Sequence, residues 1–315
     1  MLDYAALSAV AAVVREGSFE RAARALNVTP SAISQRVKQL EERLGTVLII
    51  RGQPCVATDT GRVLCRHVDQ VGMLETELRR SLPALGSASG NVTLRVAVNA
   101  DSFDTWFIGA MAAFLDRESE GALLDVALDD QDHTVEWLRS GTVFGAVTAH
   151  SQPVQGCNSV ALGSLTYVAS ASPGFVRKYF PDGVNAASLA RAPALTFNRK
   201  DRLQASWVSR LCRRAVDTPT HWLPSTQAFA NASAAGIGWG MNPIALVRDQ
   251  LKSGVLVELV PGRTLSVPLF WQHTRLPVPM LDRLTRAIVT AARSALSGGP
   301  ARRQKPRLLP AARSR

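Results

Sequence analysis

Polar side chains line one face of a helix that the sequence predicts near the start of the chain. The face carries small hydroxyl groups, one amide and one cation, at Ser31, Ser34, Gln35 and Lys38. Because a helix advances about 100° per residue, these side chains lie opposite an apolar stripe. An amide can pair two atoms of one base edge and a lysine can pair a phosphate, so the face suits the major groove of DNA. The candidate DNA contacts are Thr29, Pro30, Ser31, Ser34, Gln35, Arg36, Lys38 and Arg51.

A second set of polar residues follows predicted strands further along the chain. Asp101 and Ser102 come directly after the strand of residues 94–98 and enter a helix, and Asp129 and Asp130 come after the next strand. Helix N-terminal amides attract a carboxylate, whereas aspartates attract an ammonium or guanidinium group. Parallel strands end at one edge of a sheet, so these groups predict a pocket for a zwitterion. The alternative for Asp129 and Asp130 is a solvated loop with a helix cap.

The same carboxylates leave an enzyme as an alternative. Asp101, Asp104 and the aspartates of residues 129–132 would suit acid–base chemistry or a magnesium ion. The five histidines show no HxH or HExxH spacing, and the four cysteines show no CxxC spacing. No Gly-x-Ser-x-Gly or phosphate-loop motif occurs either. The sequence therefore predicts no catalytic residue, no metal site and no cofactor.

Two helices and the turn between them must position the candidate DNA face. Ser18 predicts the cap of the first helix and Asn27 its left-handed end. Thr29 and Pro30 predict the start of the second helix, and Gly45 predicts its end. The apolar stripe of that second helix is Ile33, Val37, Leu40 and Leu44. The alternative is an ordinary amphipathic hairpin, but small alanines at the predicted helix crossing favour a DNA-reading unit.

A predicted wing and a long helix follow this unit. Residues 47–50 and 55–57 flank a turn and predict two short strands, with Arg51 near the tip. Residues 58–85 predict one long helix. Its apolar seam, spaced for a short coiled coil, is Leu64, Val68, Val71, Leu78 and Leu82. Because a winged helix reads only a half-site, this seam predicts a homodimer; the alternative is a helix packed on its own domain.

Strands and helices alternate from residue 92 onward, which predicts two α/β lobes joined by two chain crossings, as in periplasmic binding proteins. The predicted fold class is α+β multidomain: a winged helix-turn-helix, a long dimerisation helix and a two-lobed effector domain. The predicted boundaries are 1–58 for the winged helix (helix-turn-helix 19–38), 59–90 for the long helix and hinge, 91–298 for the effector domain (lobe I 91–163 and 265–298, lobe II 164–264), and 299–315 for a basic, disordered tail.

The net charge of +11 is concentrated near the end of the chain. The tail carries Arg302, Arg303, Lys305, Arg307, Arg313 and Arg315. Through residue 90 there are eleven Lys and Arg against nine Asp and Glu, so the DNA prediction depends on residue pattern rather than on charge. No apolar run approaches the roughly 18 residues of a membrane span, and the first residues lack a basic leader. We expect a cytoplasmic, nucleoid-associated protein.

The order of these elements resembles LysR-type transcriptional regulators over about the whole chain. Four strings are similar to one branch, the ArgP, IciA and LysG regulators of basic amino acid export: TPSAISQRVKQLEERLG, RGQPC, AVNADS and GWGMNP. The resemblance implies that loops of the second lobe also face the cleft. The candidate effector contacts are then Ala100, Asp101, Ser102, Asp129, Asp130, Phe197, Asn198, Ser225, Thr226 and Gln227. That branch more often carries an acidic residue at the position of Gln227. Without that carboxylate, recognition of a basic side chain would be weaker.

The resemblance also implies a function. It predicts a sequence-specific transcriptional regulator, an activator or a repressor, that governs amino-acid export or metabolism and responds to lysine or arginine as a small-molecule effector. The implied partners are double-stranded DNA, further copies of the chain in homodimers and homotetramers, and RNA polymerase as a candidate. A nucleoid-binding or replication-origin-binding protein without an effector is the alternative. Such a protein would tolerate charge reversal in the cleft without loss of function.

Overall fold

The computed structural model describes residues 2–82, 92–117, 122–129 and 134–298. Three sequence predictions lie outside these residues: the hinge around residues 86–90, the position of Asp130, and the tail of residues 299–315. The side chain of Asp129 also lies outside the description, although its backbone belongs to a strand.

The N-terminal domain is a winged helix-turn-helix, as predicted. It consists of α1 (Tyr4–Glu16), α2 (Phe19–Ala25), α3 (Pro30–Leu44), β1 (Ile49–Ile50) and β2 (Val56–Ala57). The two strands pair antiparallel and form the wing. Asn27 takes the left-handed conformation at φ 52° between α2 and α3, and Gly45 ends α3 at φ 65°. The core of this domain includes Leu7, Val10, Val13, Ala22, Ala23, Ile33, Val37, Leu40 and Leu48.

The long helix α4 (Asp59–Ser81) starts at Thr58, whose hydroxyl accepts from the amide of Gly61. In its first half, Leu64 and Val68 are partly buried and pack against the core of their own winged-helix domain. Their place in a dimer seam stays a prediction. Its second half leaves Leu78 and Leu82 about half exposed, at 52% and 49%.

The second half of α4 also packs on the effector domain. Met73 is 1% exposed and belongs to the core cluster of that domain. Glu77 accepts a hydrogen bond from Arg283, with 2.7 Å between Oε1 and Nη2, and both side chains are mostly buried. One helix thus contacts both the winged-helix domain and the two-lobed domain.

The effector domain contains one large sheet in the described part of the chain. The strands are β3 (Val92–Asn99), β4 (Ala122–Asp129), β5 (Gly145–Thr148), β6 (Cys157–Ala171), β7 (Ala194–Thr196), β8 (Thr220–Trp222), β9 (Gly240–Pro243), β10 (Val257–Glu258) and β11 (Thr264–Thr274). The strand order is β10-β6-β11-β5-β3-β4, with β9 also paired to β6, while β7 and β8 form a separate pair. The long antiparallel strands β6 and β11 connect the two lobes, as the predicted crossings require.

Helices cover this sheet on both lobes. They are α5 (Ala100–Ser102), a π-helical turn (Phe103–Phe107), α6 (Ile108–Leu115), α7 (Thr134–Arg139), α8 (Pro173–Tyr179), α9 (Ala186–Leu189), α10 (Leu203–Cys212), α11 (Thr226–Ala234), α12 (Ile244–Lys252) and α13 (Pro279–Ala295). No helix within the described ranges is both long enough and apolar enough to cross a membrane.

The prediction of parallel strands is correct only for part of the fold. In the first lobe β3 pairs parallel with β4 and β5. In the second lobe β9 and β10 pair antiparallel with β6, and β7 and β8 form the parallel pair. A strand that crosses between the lobes keeps one direction along its whole length, so the strands that pair with it later in the chain can be antiparallel to it.

Candidate functional site

The helix α3 presents the predicted DNA face to solvent. The Thr29 hydroxyl caps it by accepting from the amide of Ala32 at 3.2 Å, and Pro30 occupies the first turn. Ile33, Val37 and Leu40 are buried on the opposite side. Leu44, expected on that buried stripe, is 44% exposed, because α3 ends beside it and the core does not extend that far.

The candidate DNA contacts differ in exposure. Ser31, Gln35 and Lys38 are exposed, whereas Ser34 and Arg36 are half-buried. The ammonium of Lys38 lies 3.6 Å from the Glu42 carboxylate, but both side chains are solvated, so this pair is weak and does not prevent a phosphate contact.

The wing contributes one cation next to this face. Arg51 follows β1 and is exposed, and its guanidinium lies 5.2 Å from the centre of the Phe19 ring. A cation above an aromatic face is held in place without losing its charge. The position fits the predicted contact of Arg51 with the DNA backbone beside the groove that α3 would enter.

Two adjoining cavities form the cleft between the lobes. The space not filled by protein atoms is about 520 Å³ in the inner cavity and about 820 Å³ in the outer one, and both figures include space that is open to solvent. The inner cavity is lined by Asn99, Ala100, Asp101, Phe197, Asp201, Leu203, Gln204, Thr226, Phe229, Met241, Asn242 and Pro243. The outer cavity is lined by Ala100, Phe103, Asp104, Leu128, Phe197, Asn198, Pro224, Ser225 and Thr226.

Six predicted effector contacts line this cleft, namely Ala100, Asp101, Phe197, Asn198, Ser225 and Thr226. Ser102 does not: it is fully buried and lines neither cavity, because the helix that begins at Ala100 turns its side chain into the core. The Gln227 side chain also lines neither cavity and bonds Asn231 of its own helix at 3.3 Å. The backbone of Asp129 pairs beside Asn99, at the strand edge that forms the cleft.

Asp101 connects the two lobes. Its carboxylate accepts from the Tyr167 hydroxyl at 2.6 Å and from the Thr226 hydroxyl at 2.9 Å. Burial raises the pKa of Asp101 to about 6, and these two hydrogen bonds oppose the rise. The negative charges of Asp201 and Asp104 add to the increase in its pKa. This carboxyl therefore takes up a proton well above the pH at which an exposed aspartate does.

Two further carboxylates border the cleft. Burial raises the pKa of Asp104, and a hydrogen bond from the backbone of Gln227 opposes the rise. This bond is a second connection between the lobes. Asp201 accepts from the amide of Phe197 at 3.2 Å and from the amide of Leu203 at 2.9 Å, and so fixes the loop between β7 and α10. Together with Asp101, these groups make the cleft acidic.

Sequence reasoning missed the buried amides of the inner cavity, Asn99, Gln204 and Asn242, which are at most 4% exposed. It also missed Asp201 and the apolar lining residues Leu203, Phe229, Met241 and Pro243. One signal was available: Asn242 belongs to the GWGMNP string, whose glycines allow close packing. A Cβ atom at Gly240 would lie 2.1 Å from the Phe229 ring, so this ring reaches the cavity wall only beside a glycine.

Metal and thiol chemistry find no support in the described residues. No group of three His, Cys, Asp or Glu side chains there could hold a metal ion. The four cysteines are free thiols, and burial raises the pKa of Cys65 to about 11, so this thiol is a poor nucleophile.

Two family descriptions match the chain. Residues 4–62 match the bacterial regulatory helix-turn-helix proteins of the lysR family. Residues 87–293 match the LysR substrate binding domain. These ranges contain the winged helix and the two lobes described above.

Relatives are similar over nearly the whole chain. The HTH-type transcriptional regulator LysG of Mycobacterium tuberculosis is 44% identical over 97% of this chain and 98% of its own length. The crystal structure of ArgP from M. tuberculosis has 43% identity and a TM-score of 0.79, covering 95% of this chain and all of that one. Full-length LysG from Corynebacterium glutamicum with bound effector Arg has 36% identity and a TM-score of 0.70, covering 94% of this chain and all of that one. Because these relatives are regulators, the enzyme alternative is set aside, and the chain belongs to the LysR family of transcriptional regulators, of the ArgP and LysG kind.

Proposed function

We propose that this regulator responds to a basic amino acid, arginine or lysine, and controls export or metabolism of that amino acid. The observation that carries the proposal is the acidic cleft. Asp101, Asp104 and Asp201 border it, and no Lys, Arg or His is found among the described residues that line either cavity. A cationic ligand offsets the repulsion between these carboxylates, whereas an acidic ligand increases it.

The C. glutamicum relative supports the same class of effector, because a full-length structure of that protein has effector Arg bound. In the present chain Asp101 receives a cationic group of the ligand. Because Asp101 already bonds Thr226 of the opposite lobe, a ligand at this position contacts both lobes at once. A ligand that prefers one arrangement of the lobes shifts the population of that arrangement.

The shift reaches DNA through α4. This helix packs on lobe I at Met73 and Glu77 and on the winged helix at Leu64 and Val68. A change in the lobes therefore alters how two winged helices are spaced in a homodimer or a tetramer of paired dimers. We place the dimer contact on the exposed stripe that contains Leu78 and Leu82, with α3 of each copy in the major groove of its half-site. RNA polymerase is the candidate partner for activation.

Calorimetry with the full-length protein tests the effector. Arginine or lysine should bind with a defined stoichiometry, and the same amino acid should change the affinity or footprint of the protein on its target promoter. Binding of a neutral or acidic amino acid, with neither basic one bound up to millimolar concentration, would contradict the proposal.

The second candidate function is a nucleoid-binding or replication-origin-binding protein without an effector. Charge reversal separates the two functions. Asp101→Lys should abolish the ligand response of the regulator, whereas an effector-free protein would regulate and bind DNA as before.

A further inference from the structure

The wing is too small to fix its own orientation. Its strands β1 and β2 contain two residues each and form a sheet of two strands, in which Ile49 pairs with Ala57 and Ile50 with Val56. A two-stranded hairpin is at best marginally stable in water, even when its strands are longer. Contacts with the helices of the domain must therefore fix the direction in which the wing points.

One such contact comes from the last turns of α3, the helix that carries the DNA face. A single carboxylate oxygen of Glu41 accepts from the backbone amide of Leu48 at 2.7 Å and from that of Ile49 at 3.3 Å. Leu48 and Ile49 are buried and Glu41 is half-buried, so little water competes for these amides. A hydrogen bond to a charged acceptor is also stronger than one between neutral groups. The carboxylate therefore connects α3 to the residues that enter the wing.

Other contacts hold the same segment against α4. The Thr58 hydroxyl donates to the carbonyl of Val47 at 2.8 Å, and the Thr58 amide donates to the carbonyl of Leu48 at 3.0 Å. A Cβ atom at Gly61 would lie 2.1 Å from that Leu48 oxygen, so α4 passes directly beside the segment. Packing of Leu48 in the core adds attraction but no direction, because burial of apolar surface is non-directional. Of these contacts, the Glu41 hydrogen bonds are the ones that set a direction relative to α3.

Glu41 is not suited to contact the DNA backbone itself, because its negative charge repels phosphate. An effect of this residue on DNA binding must therefore act through the wing. Arg51 lies two residues beyond Ile49, next to the DNA face of α3. The direction of the chain at Ile49 sets where the Arg51 guanidinium lies relative to the groove that α3 enters.

We infer that Glu41 is a positioning residue for DNA binding, which sets the distance between α3 in the major groove and Arg51 at the DNA backbone. The inference rests on the predicted DNA contact of Arg51 and does not involve the effector. The groove and the backbone of a duplex lie at a fixed separation, so a wing that is already held in place can contact the backbone as α3 enters the groove. A wing that moves freely must be ordered when DNA binds, and this ordering lowers affinity.

Two substitutions separate the reach of this side chain from its charge. Glu41→Gln keeps the length and an oxygen acceptor but removes the charge, so it should retain promoter affinity within about threefold. Glu41→Asp keeps the charge, but its carboxylate is one methylene too short to reach both amides. It should lower the promoter affinity of the full-length, ligand-free protein by about tenfold. It should also reduce the slope of log affinity against log salt concentration by about 0.9 per half-site, the value for one lost phosphate contact.

Glu42→Asp is the matched control. Glu42 is the next residue on α3, is exposed, and forms only a solvated pair with Lys38. The same loss of one methylene should therefore leave both the affinity and the salt slope unchanged. Melting temperatures of the three variants show whether the domain remains folded.

Arg51→Gln tests whether Glu41 acts through the wing. Alone it should reduce the salt slope by the same amount, and adding Glu41→Asp to it should change affinity and slope little further. Additive losses in the double variant would overturn the inference, because Glu41 would then act elsewhere. An unchanged slope in Arg51→Gln or in Glu41→Asp would also overturn it. Equal losses in Glu41→Gln and Glu41→Asp would show that charge, not reach, is what matters, and would overturn it as well.

If Glu41→Asp lowers the melting temperature strongly, hydrogen exchange of the DNA-free protein decides. The amides of Leu48 and Ile49 should be protected equally in the unsubstituted protein and in Glu41→Gln, which would support the inference. Exchange as fast as in an open loop would overturn it. All of these measurements are made without an amino acid ligand, so their failure would leave the proposed basic effector in place.

Discussion

The DNA face of α3 and the ligand cleft differ in how complete they are. The polar side chains of α3 lie on one helix, mostly exposed, where water satisfies their hydrogen bonds. The cleft combines residues from strands and loops of both lobes, and it contains buried amide atoms without partners and carboxyls with raised pKa values. The DNA face therefore has its polar groups satisfied by water before DNA binds, whereas the cleft contains carboxyl groups whose charged form is disfavoured by burial.

This difference explains why ligand binding in the cleft can regulate the protein, while the face of α3 serves to bind DNA. The exposed face of α3 gains contacts when DNA binds, and it does not need to change conformation first. A cleft that bridges two lobes has a different free energy when empty and when occupied, so its occupancy can change the arrangement of the lobes. The helix α4, which contacts both domains, connects the two surfaces.

Disrupting the dimer should have the largest effect, because the dimer brings two α3 helices to one promoter. Leu78→Asp places a charge on the exposed stripe of α4, where the chain alone leaves this leucine 52% exposed, so folding of one copy should be unaffected. We expect monomers by sedimentation and a loss of about 10²- to 10⁴-fold in affinity for a two-site promoter, because avidity is lost.

The control is Arg79→Gln, which changes the net charge equally beside the stripe, on an exposed position. It should remain dimeric. A dimeric Leu78→Asp protein with unchanged promoter affinity would move the dimer contact to another surface.

Asp101→Asn should affect the cleft and leave the DNA face intact. It removes a buried charge that faces the ligand, and loss of such a partner costs about 2–5 kcal/mol of binding free energy. Calorimetry should therefore show strongly weakened arginine binding, while DNA affinity without ligand stays unchanged. Asp116→Asn, at an exposed position after α6, is the control. Equal arginine affinity in the two variants would exclude Asp101 from the site.

The same contrast explains what the sequence could predict. The DNA face depends on signals within a few residues: the cap at Thr29, the left-handed turn at Asn27 and the helical spacing of Ile33 and Val37 all have the predicted roles. The prediction that Leu44 is buried was wrong, because Leu44 is the last residue of α3. At a helix end, the apolar periodicity no longer indicates whether other residues cover a side chain.

The cleft depends on contacts between distant segments. Sequence order places Asp101 and Thr226 far apart, yet both are predicted to line the cleft and do so. Asp101 is predicted from a strand end and a helix start, which are local signals, whereas Thr226 is predicted only from the resemblance to LysR-type regulators. Gln204 and Asn242 have no such signal, since a single amide within an apolar segment can be exposed, capped or buried. Only the packing of β9 against β6 brings Asn242 to the cavity. The antiparallel direction of that pairing is likewise a property of the whole fold.

Gln35→Ala tests the DNA face with a moderate effect. The exposed amide of Gln35 should pair a base edge, so its removal should cost about 1–3 kcal/mol on the specific promoter and little on random DNA. Competition binding with both DNAs measures the difference. Gln39→Ala, an exposed glutamine on the same helix but outside the candidate set, should keep both affinities. Equal losses on specific and random DNA would mean that Gln35 does not read bases.

The smallest expected effect is a pH dependence that only the cleft shows. In the empty protein the pKa of Asp101 is raised to about 6, so this carboxyl is largely protonated below pH 6. A bound cation favours the ionised form, and binding must then release a proton. Arginine affinity should be fully developed above pH 7 and fall as the pH drops through 6, by about fourfold between pH 7.5 and 5.5. The raised pKa of Asp104 acts in the same direction, and no histidine lines either cavity among the described residues.

Calorimetry in buffers of different ionisation enthalpy measures the released proton. Ligand-free DNA binding by α3 should stay nearly constant over this range, because α3 contains no histidine. Arginine binding that is independent of pH, without proton release, would show that Asp101 does not face the cationic group.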